Sequence, residues 1–454
     1  MSGPITGGRE GSLEAPTRHA LDWQDPAFYD EAALEKELER VFDICHGCRR
    51  CFSLCNSFPT LFDAVDASPT GELDGVDKKA YWDVVDHCYL CDMCFMTKCP
   101  YVPPHPWNLD FPHLMLRAKA VKHKRGGHSL RDKLLSNTRA VGSLAGIPIV
   151  AEIVNAVNRS SAGRKLLEST LGVCPTAPVP NYYSNTGTKR AKRLAGKAKA
   201  AKPTDETRGK VALFVTCYGH RNEPHLPEDL TAIFEHNGIP VKVVEKEKCC
   251  GMPKLELGDL ETVAKYKDFN TPQLKRLVDE GYDIVAPIPS CVLMFKQELP
   301  LMFPNDPDVK AVQQHIFDPF EYLMLRHEAG ELRTDFKTKL GKISYHVPCH
   351  LRVQNIGLKT RDVLKLVPET TVEVIERCSG HNGTYAVKKE FRPASMKIGR
   401  PVMNKVEQAK PDHYSSDCPM AGHQIESGLA VNPATGDKQA PEHPLTLVRK
   451  AYGI

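Results

Sequence analysis

Residues 210–217 read KVALFVTC, and residues 342–349 read KISYHVPC. Each is a short strand-like run of β-branched and apolar residues that ends in a cysteine. The likeness continues downstream. VKVVEKEKCCG (241–251) is matched by VEVIERCSG (372–380). YDIVAPIPSC (282–291) ends in Cys291 as DHYSSDC (412–418) ends in Cys418. Helical patterns lie between these runs. Leu230, Ile233 and Phe234 share one helix face, and Gly238 stands where that helix would stop. Strands alternating with helices imply βαβ units and a parallel sheet. The C-terminal half therefore reads as two α/β lobes related by pseudo-symmetry.

In the first lobe every cysteine follows a strand. Cys217 comes after 211–215, Cys249 and Cys250 after 241–244, and Cys291 after 284–288. Parallel strands share a carboxyl edge, and open α/β sheets bind ligands there. Helices that start beyond the strands turn their positive ends to the same place, which favours thiolates. Four thiols at one edge suggest a metal–sulfur site. A redox-active Cys249–Cys250 dithiol and a set of inert buried cysteines are the alternatives. In the second lobe Cys349, Cys378 and Cys418 occupy the matching places, but Ser379 stands where Cys250 stood. His350, His381 and His423 are the nearby candidates for a fourth ligand, although a lone histidine beside a cysteine is more often a hydrogen-bonding loop residue. Cys174 falls outside every pattern.

The other thiols lie near the amino end, in CHGCRRCFSLC (45–55) and CYLCDMCFMTKC (88–99). A cubane needs four thiolates around a compact core. A tight loop with a thiol at every third residue supplies three, and the late cysteine of each run serves the other cluster. The spacing thus assigns Cys45, Cys48, Cys51 and Cys99 to one four-iron cluster, and Cys88, Cys91, Cys94 and Cys55 to a second. Structural zinc is the competing reading. It more often uses paired CxxC units with a longer gap between them.

A chain of 454 residues is long enough for about two to four domains. Its net charge of +4 is too small an excess to argue for nucleic acid. The opening MSGPITGGREGSLEAP lacks the charged and apolar segments of a secretory signal, so the sixteen clustered cysteines read as metal ligands or redox thiols in a cytoplasmic setting. A membrane span needs about 18 apolar residues without charge. The nearest stretch, residues 140–158, contains Pro148 and Glu152 and is expected as a buried helix. The alternative is a helix lying on a membrane surface or a partner. A helix is expected from about Asp30, with Leu34, Leu38, Val41 and Phe42 on its inner face. The run TKRAKRLAGKAKAAKP (188–203) has seven Lys or Arg and reads as a solvated tether.

The expected organisation is a surface extension (1–29), a helical two-cluster domain (30–135), a helical connector (136–185), a basic linker (186–207), a first lobe (208–330) and a second, degenerate lobe (331–454). The fold class is α+β and multidomain.

The motifs KCCGMP and RCSG, with FVTC, PSC, YHVPCHL and SDC around them, resemble the cysteine-rich CCG domain. That domain occurs in heterodisulfide reductase subunits, in the iron–sulfur subunit of glycolate oxidase and in the C subunit of anaerobic glycerol-3-phosphate dehydrogenase. The paired amino-terminal runs resemble the helical two-cluster ferredoxin module that precedes CCG domains in those proteins. YHVPCHLRVQNIG and ERCSGHNGTYAVKKE look closest to the glycerol-3-phosphate dehydrogenase C-subunit group. The resemblance implies an iron–sulfur oxidoreductase subunit that works with a flavoprotein and delivers electrons to a quinone or another acceptor. The full CCG pattern ends in CxxC, and here Met294 and Ala421 stand at the closing positions. Disulfide-cleaving chemistry is therefore not carried over. A third, conventional cluster in the first lobe fits its ligand count better.

No GxGxxG follows a strand and no P-loop is present. Hydride chemistry would have to come from a partner, for which flavin is the usual converter between electron pairs and single electrons. The expected role is a cytoplasmic electron-transfer subunit, with the inner membrane face as an optional docking surface. A catalytic thiol, disulfide or quinone reductase and a non-catalytic binding or sensing protein are the other two classes.

Overall fold

The computed structural model describes residues 15–97, 99–199, 201–433 and 436–454. The first 14 residues of the expected surface extension lie outside the described residues. The chain divides into two compact units. One holds the residues up to Gly127 with Glu256–Gly258, and the other holds His128–Leu255 with Asp259–Ile454.

The first unit is helical among its described residues. Its leading helix, Glu31–Cys48, is capped by Asp30, whose carboxylate accepts the Ala33 amide across 2.6 Å. This satisfies one of the free amides at a helix start. Leu34, Leu38, Val41 and Phe42 are all buried, as the 3.6-residue period requires. Phe42 packs edge-on to Tyr81 at 5.1 Å, and Phe58 lies 4.7 Å from Phe111. The segment before this helix does more than cover the surface. Leu21 and Trp23 are buried, and the Arg18 guanidinium is clamped between Asp92 at 2.5 Å and Asp110 at 2.8 Å.

The second unit contains two parallel sheets. The first has the order β2-β1-β3-β4, with β1 Val211–Leu213, β2 Val241–Val243, β3 Asp283–Val285 and β4 Ile316–Phe317. Val211 pairs with both Val241 and Asp283. The second has the order β6-β5-β7, with β5 Gly341–His346, β6 Thr370–Ile375 and β7 His413–Ser416. Ile343 pairs with Val372 and His413. The architecture is thus mixed helix and sheet with a repeated parallel core.

The strands of the first sheet are shorter than the apolar runs that encode them. Beyond Leu213 the chain leaves the ladder because the Glu247 carboxylate takes the amides of Val215 at 2.6 Å and Thr216 at 3.0 Å. Helix His225–His236 turns Leu230, Ile233 and Phe234 into the core and is followed by Gly238 at φ +74°. Each such side chain contributes about 1.5–3 kcal/mol by leaving water. The same core takes in Ile343 and Tyr345 of the second sheet, and Leu447 and Tyr452 of the last helix, Pro444–Tyr452. That last helix reaches back to the first lobe, where Asp229 receives Arg449 at 2.7 Å and Thr446 at 2.6 Å.

Two connecting segments differ from expectation. Residues Gly187–Leu194 of the basic run form a helix, not a solvated tether, because Ala191 is small enough to bury fully against the first lobe while Lys189, Arg190, Lys192 and Arg193 stay on the other faces. Residues 140–158 do not form one buried helix. They contribute to two helices, Thr138–Ala145 and Val150–Arg159, bent by 108° at the break that contains Pro148. Leu144, Ile147, Ile149 and Ile153 are exposed. Among the described residues no single helix is long and apolar enough to cross a membrane.

Candidate metal centres

The helix Glu31–Cys48 carries Cys45 and Cys48 on its last turn, and Arg49 ends it in a left-handed conformation at φ 51°. Cys51 lies in the turn that follows, and Cys55 comes just before the helix Ser57–Asp66. In the second run Cys88 and Cys91 flank Leu90, and Asp92 comes next, with φ of 54° at Leu90 and 60° at Asp92. The Arg18 pair holds Asp92 in that strained turn. Cys94 lies in the short helix Met93–Thr97, and the Cys99 amide bonds back to its carbonyl at 2.8 Å.

These thiols are neighbours in two overlapping sets. Burial pushes the Cys45 thiol well above its ordinary pKa, and Cys51, Cys99 and Cys48 add to the shift. Cys94 is raised by burial, then by Cys51, Cys91, Cys88 and Cys55. Burial lifts Cys88 to about 12 against the pull of Lys119. Cys51 is thus within electrostatic reach of both sets.

In the first lobe the four cysteines meet at the carboxyl edge of the sheet. Cys217 opens the helix Cys217–Arg221, and its sulfur lies 4.0 Å from that of Cys249. Cys250 contacts Cys249 on one side and Cys291 on the other. The Thr138 hydroxyl sits 3.0 Å from Cys217. Contact with Cys249 and burial raise Cys217 well above the usual thiol value. At Cys249 the contact with Cys217 acts downward, but Cys250 and burial overturn it and leave the thiol at about 12.

Backbone and polar groups that the cysteine pattern did not reveal hold this edge in place. Thr216 has φ +69°, rare for a β-branched residue, and its hydroxyl caps the Gly219 amide at 3.1 Å. Buried Asn270 accepts the Lys248 amide at 2.8 Å and donates to the Cys249 carbonyl at 3.1 Å. Gly251 follows the cysteine pair at φ +109°. Met294 and Ala421, at the closing positions of the motif, are buried apolar packing residues.

The second lobe repeats the plan with fewer thiols. Cys349 opens the helix Cys349–Arg352, Cys378 follows β6, and Cys418 precedes the helix Pro419–Gly428. Cys378 is in contact with Cys349, which together with the Gly380 amide at 3.3 Å and Asn382 brings its pKa down to about 7 against burial. Gly380 has φ +77°, the counterpart of Gly251. Buried Asp417 accepts from Tyr345 at 2.5 Å and Thr360 at 2.8 Å. Of the three histidines, His423 is engaged by Glu223 and Glu426, while both ring nitrogens of His381 are buried without a hydrogen-bond partner. Cys174 is half-buried and lies 3.3 Å from the Thr176 hydroxyl. Among the described residues no three His, Cys, Asp or Glu side chains close around the position of a single ion.

Residues 211–296 and 343–426 match the cysteine-rich domain family known as CCG, once for each lobe. The chain belongs to the CCG cysteine-rich domain family. Relatives that are subunits of larger enzymes align with this CCG protein over most of its length. It is 29% identical to the C subunit of the anaerobic glycerol-3-phosphate dehydrogenase of Escherichia coli K12, over 76% of this chain and 83% of the relative. It is 25% identical to the B subunit of a CoM/CoB fumarate reductase from Methanothermobacter marburgensis, over 84% of this chain and 68% of that one. A lactate utilization protein A from an Exiguobacterium species is 30% identical over 39% of this CCG chain and 74% of the relative.

Proposed function

We propose that this protein is an iron–sulfur electron-transfer subunit of an oxidoreductase complex, passing single electrons between a flavoprotein partner and a quinone or other acceptor. The observation that carries the reading is the overlap of the two amino-terminal thiol sets, with Cys51 in reach of both. Cys45, Cys48, Cys51 and Cys99 would hold one four-iron cluster. Cys88, Cys91, Cys94 and Cys55 would hold the other, within a ferredoxin-like helical module. Cys217, Cys249, Cys250 and Cys291 would hold a third cluster. Cys349, Cys378 and Cys418 form a lesser site.

The donor chemistry supports this. Each main set is built of thiols alone, which are soft ligands suited to iron–sulfur groups. Burial and mutual repulsion keep Cys45, Cys94 and Cys217 protonated unless a cation compensates. Such clusters supply one-electron transfer when bound. The chain's own residues fix the thiols: Arg18 through Asp92, Glu247 through the Val215 and Thr216 amides, and Asn270 through the Cys249 carbonyl. The relatives named as parts of a dehydrogenase and a reductase point to a complex and not to a solitary enzyme.

The test is anaerobic purification followed by iron, sulfide and zinc quantification and EPR of the reduced protein. Three clusters' worth of iron is expected, falling by two clusters' worth in a Cys45→Ser and Cys88→Ser double variant. Colourless protein without acid-labile sulfide after reconstitution would overturn the reading.

A further inference from the structure

One group that touches the first-lobe thiols comes from outside the CCG segments. Helix Thr138–Ala145 precedes both matched stretches, 211–296 and 343–426, yet it packs against the helix Cys217–Arg221. Two bonds pin it, one at each end. At its start the Thr138 hydroxyl lies 3.0 Å from the Cys217 sulfur. Just past its end the Gly146 carbonyl accepts from the Arg221 guanidinium at 2.9 Å. Between them Gly142 presents no side chain, and a Cβ there would lie 3.3 Å from Cγ of Arg221. The close approach of the two helices depends on that glycine.

The direction of the Thr138 bond follows from the state of the sulfur. In the free thiol either atom can donate. A cysteine bound to iron is a thiolate and carries no proton, so the hydroxyl must then be the donor. Thr138 is also the first residue of its helix, and the amides of a helix start carry partial positive charge. Arg139 comes next and is in electrostatic reach of both Cys217 and the buried Glu247. One turn of the connector thus puts positive potential on one ligand sulfur in three ways.

The three are unequal. Arg139 is exposed, so solvent and salt screen its charge. The Thr138 side chain is half-buried and bonds the sulfur directly. A hydrogen bond to an ionised acceptor is of the stronger kind. In the second lobe the donors to Cys378 are the Gly380 amide and Asn382, both inside the matched segment. The hydroxyl on Cys217 is therefore a feature of this connector and not of the CCG repeat.

Adding an electron to a cluster makes its sulfurs more negative, and hydrogen bonds to those sulfurs help set the potential. We propose that Thr138 acts through Cys217 as a positioning residue that raises the reduction potential of the cluster held by Cys217, Cys249, Cys250 and Cys291. The inference rests on the third-cluster reading and deepens it. The first lobe becomes a better electron acceptor than its four thiols alone would make it.

The test is an EPR-monitored redox titration of the full-length protein, reconstituted anaerobically. The signal that disappears in Cys291→Ala marks the first-lobe cluster. Thr138→Val keeps the shape of the side chain and removes the donor. It should shift the reduction equilibrium of that cluster about tenfold toward the oxidised form, about 59 mV lower for a one-electron couple. The amino-terminal clusters should keep their potentials, and iron content and melting temperature should stay at wild-type values. Thr138→Ser retains the hydroxyl and should keep the wild-type potential. Arg139→Gln should give a smaller shift that fades at high salt. With three clusters present, an unmoved potential in Thr138→Val, an equal shift in Thr138→Ser, or a larger one in Arg139→Gln would overturn the proposal alone. Two clusters' worth of iron in the wild-type protein would remove the first-lobe cluster and the proposal with it.

Discussion

His423 of the second lobe and Glu223 of the first are joined ring nitrogen to carboxylate across 3.2 Å. The other ring nitrogen faces Glu426 at 2.9 Å. Burial works against the imidazolium, but the two carboxylates prevail and raise its pKa to about 9. A histidine raised above its ordinary value of about 6.5 adds its full stability below that pH and loses it as pH rises through the folded value. The urea midpoint should therefore fall between about pH 6.5 and pH 9. The side chain is 41% exposed, so screening limits the loss to roughly 1 kcal/mol or less. In His423→Gln this part of the pH dependence should vanish. An unchanged pH profile in the variant would rule out the lobe-to-lobe pair as its source.

Arg18 pairs with both Asp92 and Asp110, at 2.5 Å and 2.8 Å. Removing one member of a buried pair leaves uncompensated charge and costs about 3–5 kcal/mol. Arg18→Ala should destabilise the amino-terminal unit by that order. It should also loosen the left-handed turn at Asp92 between Cys91 and Cys94. Hydrogen exchange over residues 88–99 should speed up, and iron retention should fall. Exchange at the wild-type rate would show that the pair does not hold the turn.

The repeat was legible because each strand carries β-branched residues and each ends in a cysteine. Asp30, Leu34, Leu38, Val41 and Phe42 were legible for the same kind of reason, a local period with a cap. What the sequence hid is non-local. Nothing near Glu247 announces that its carboxylate will meet amides 31 and 32 residues away. Arg18 looked like part of a surface extension because its partners lie 74 and 92 residues on. The basic run misled because charge dominates its composition, while its packing depends on the single small residue Ala191. Pro148 counted only against a membrane span, so 140–158 was expected as one buried helix; the bend and the exposure of Leu144 and Ile149 depend on where the two helices pack, which no local pattern states.

Glu247 gives a prediction of its own. Its two oxygens satisfy the Val215 and Thr216 amides in a fully buried setting next to Cys217. Glu247→Ala leaves both donors without an acceptor, at about 1–3 kcal/mol each. The melting temperature should drop, and the loss should exceed that of Glu245→Ala, an exposed neighbour on the same loop. Equal effects from the two variants would mean that water replaces the carboxylate.

The paired glycines Gly251 and Gly380 allow a comparison within one molecule. Both have positive φ, so an alanine at either is strained. They differ in what a new methyl group would meet. At Gly380 it would collide with the Ser395 backbone carbonyl oxygen, and the Gly399 amide is at 3.3 Å. At Gly251 it would meet the end of Met294 and a methyl of Val263, each at 3.3 Å. Side-chain ends can move a few tenths of an ångström, whereas a helix backbone cannot without disturbing Arg392–Ala409. Gly380→Ala should therefore cost more than about 2 kcal/mol, and Gly251→Ala about 1–2 kcal/mol from conformational strain alone. Gly380→Ala also shifts the amide that donates to the Cys378 sulfur at 3.3 Å. Its thiol should become slower toward an alkylating reagent at neutral pH, since it loses a group that favours the thiolate. If Gly251→Ala proved the more damaging of the two, the contact geometry at the second lobe would not be what sets the cost.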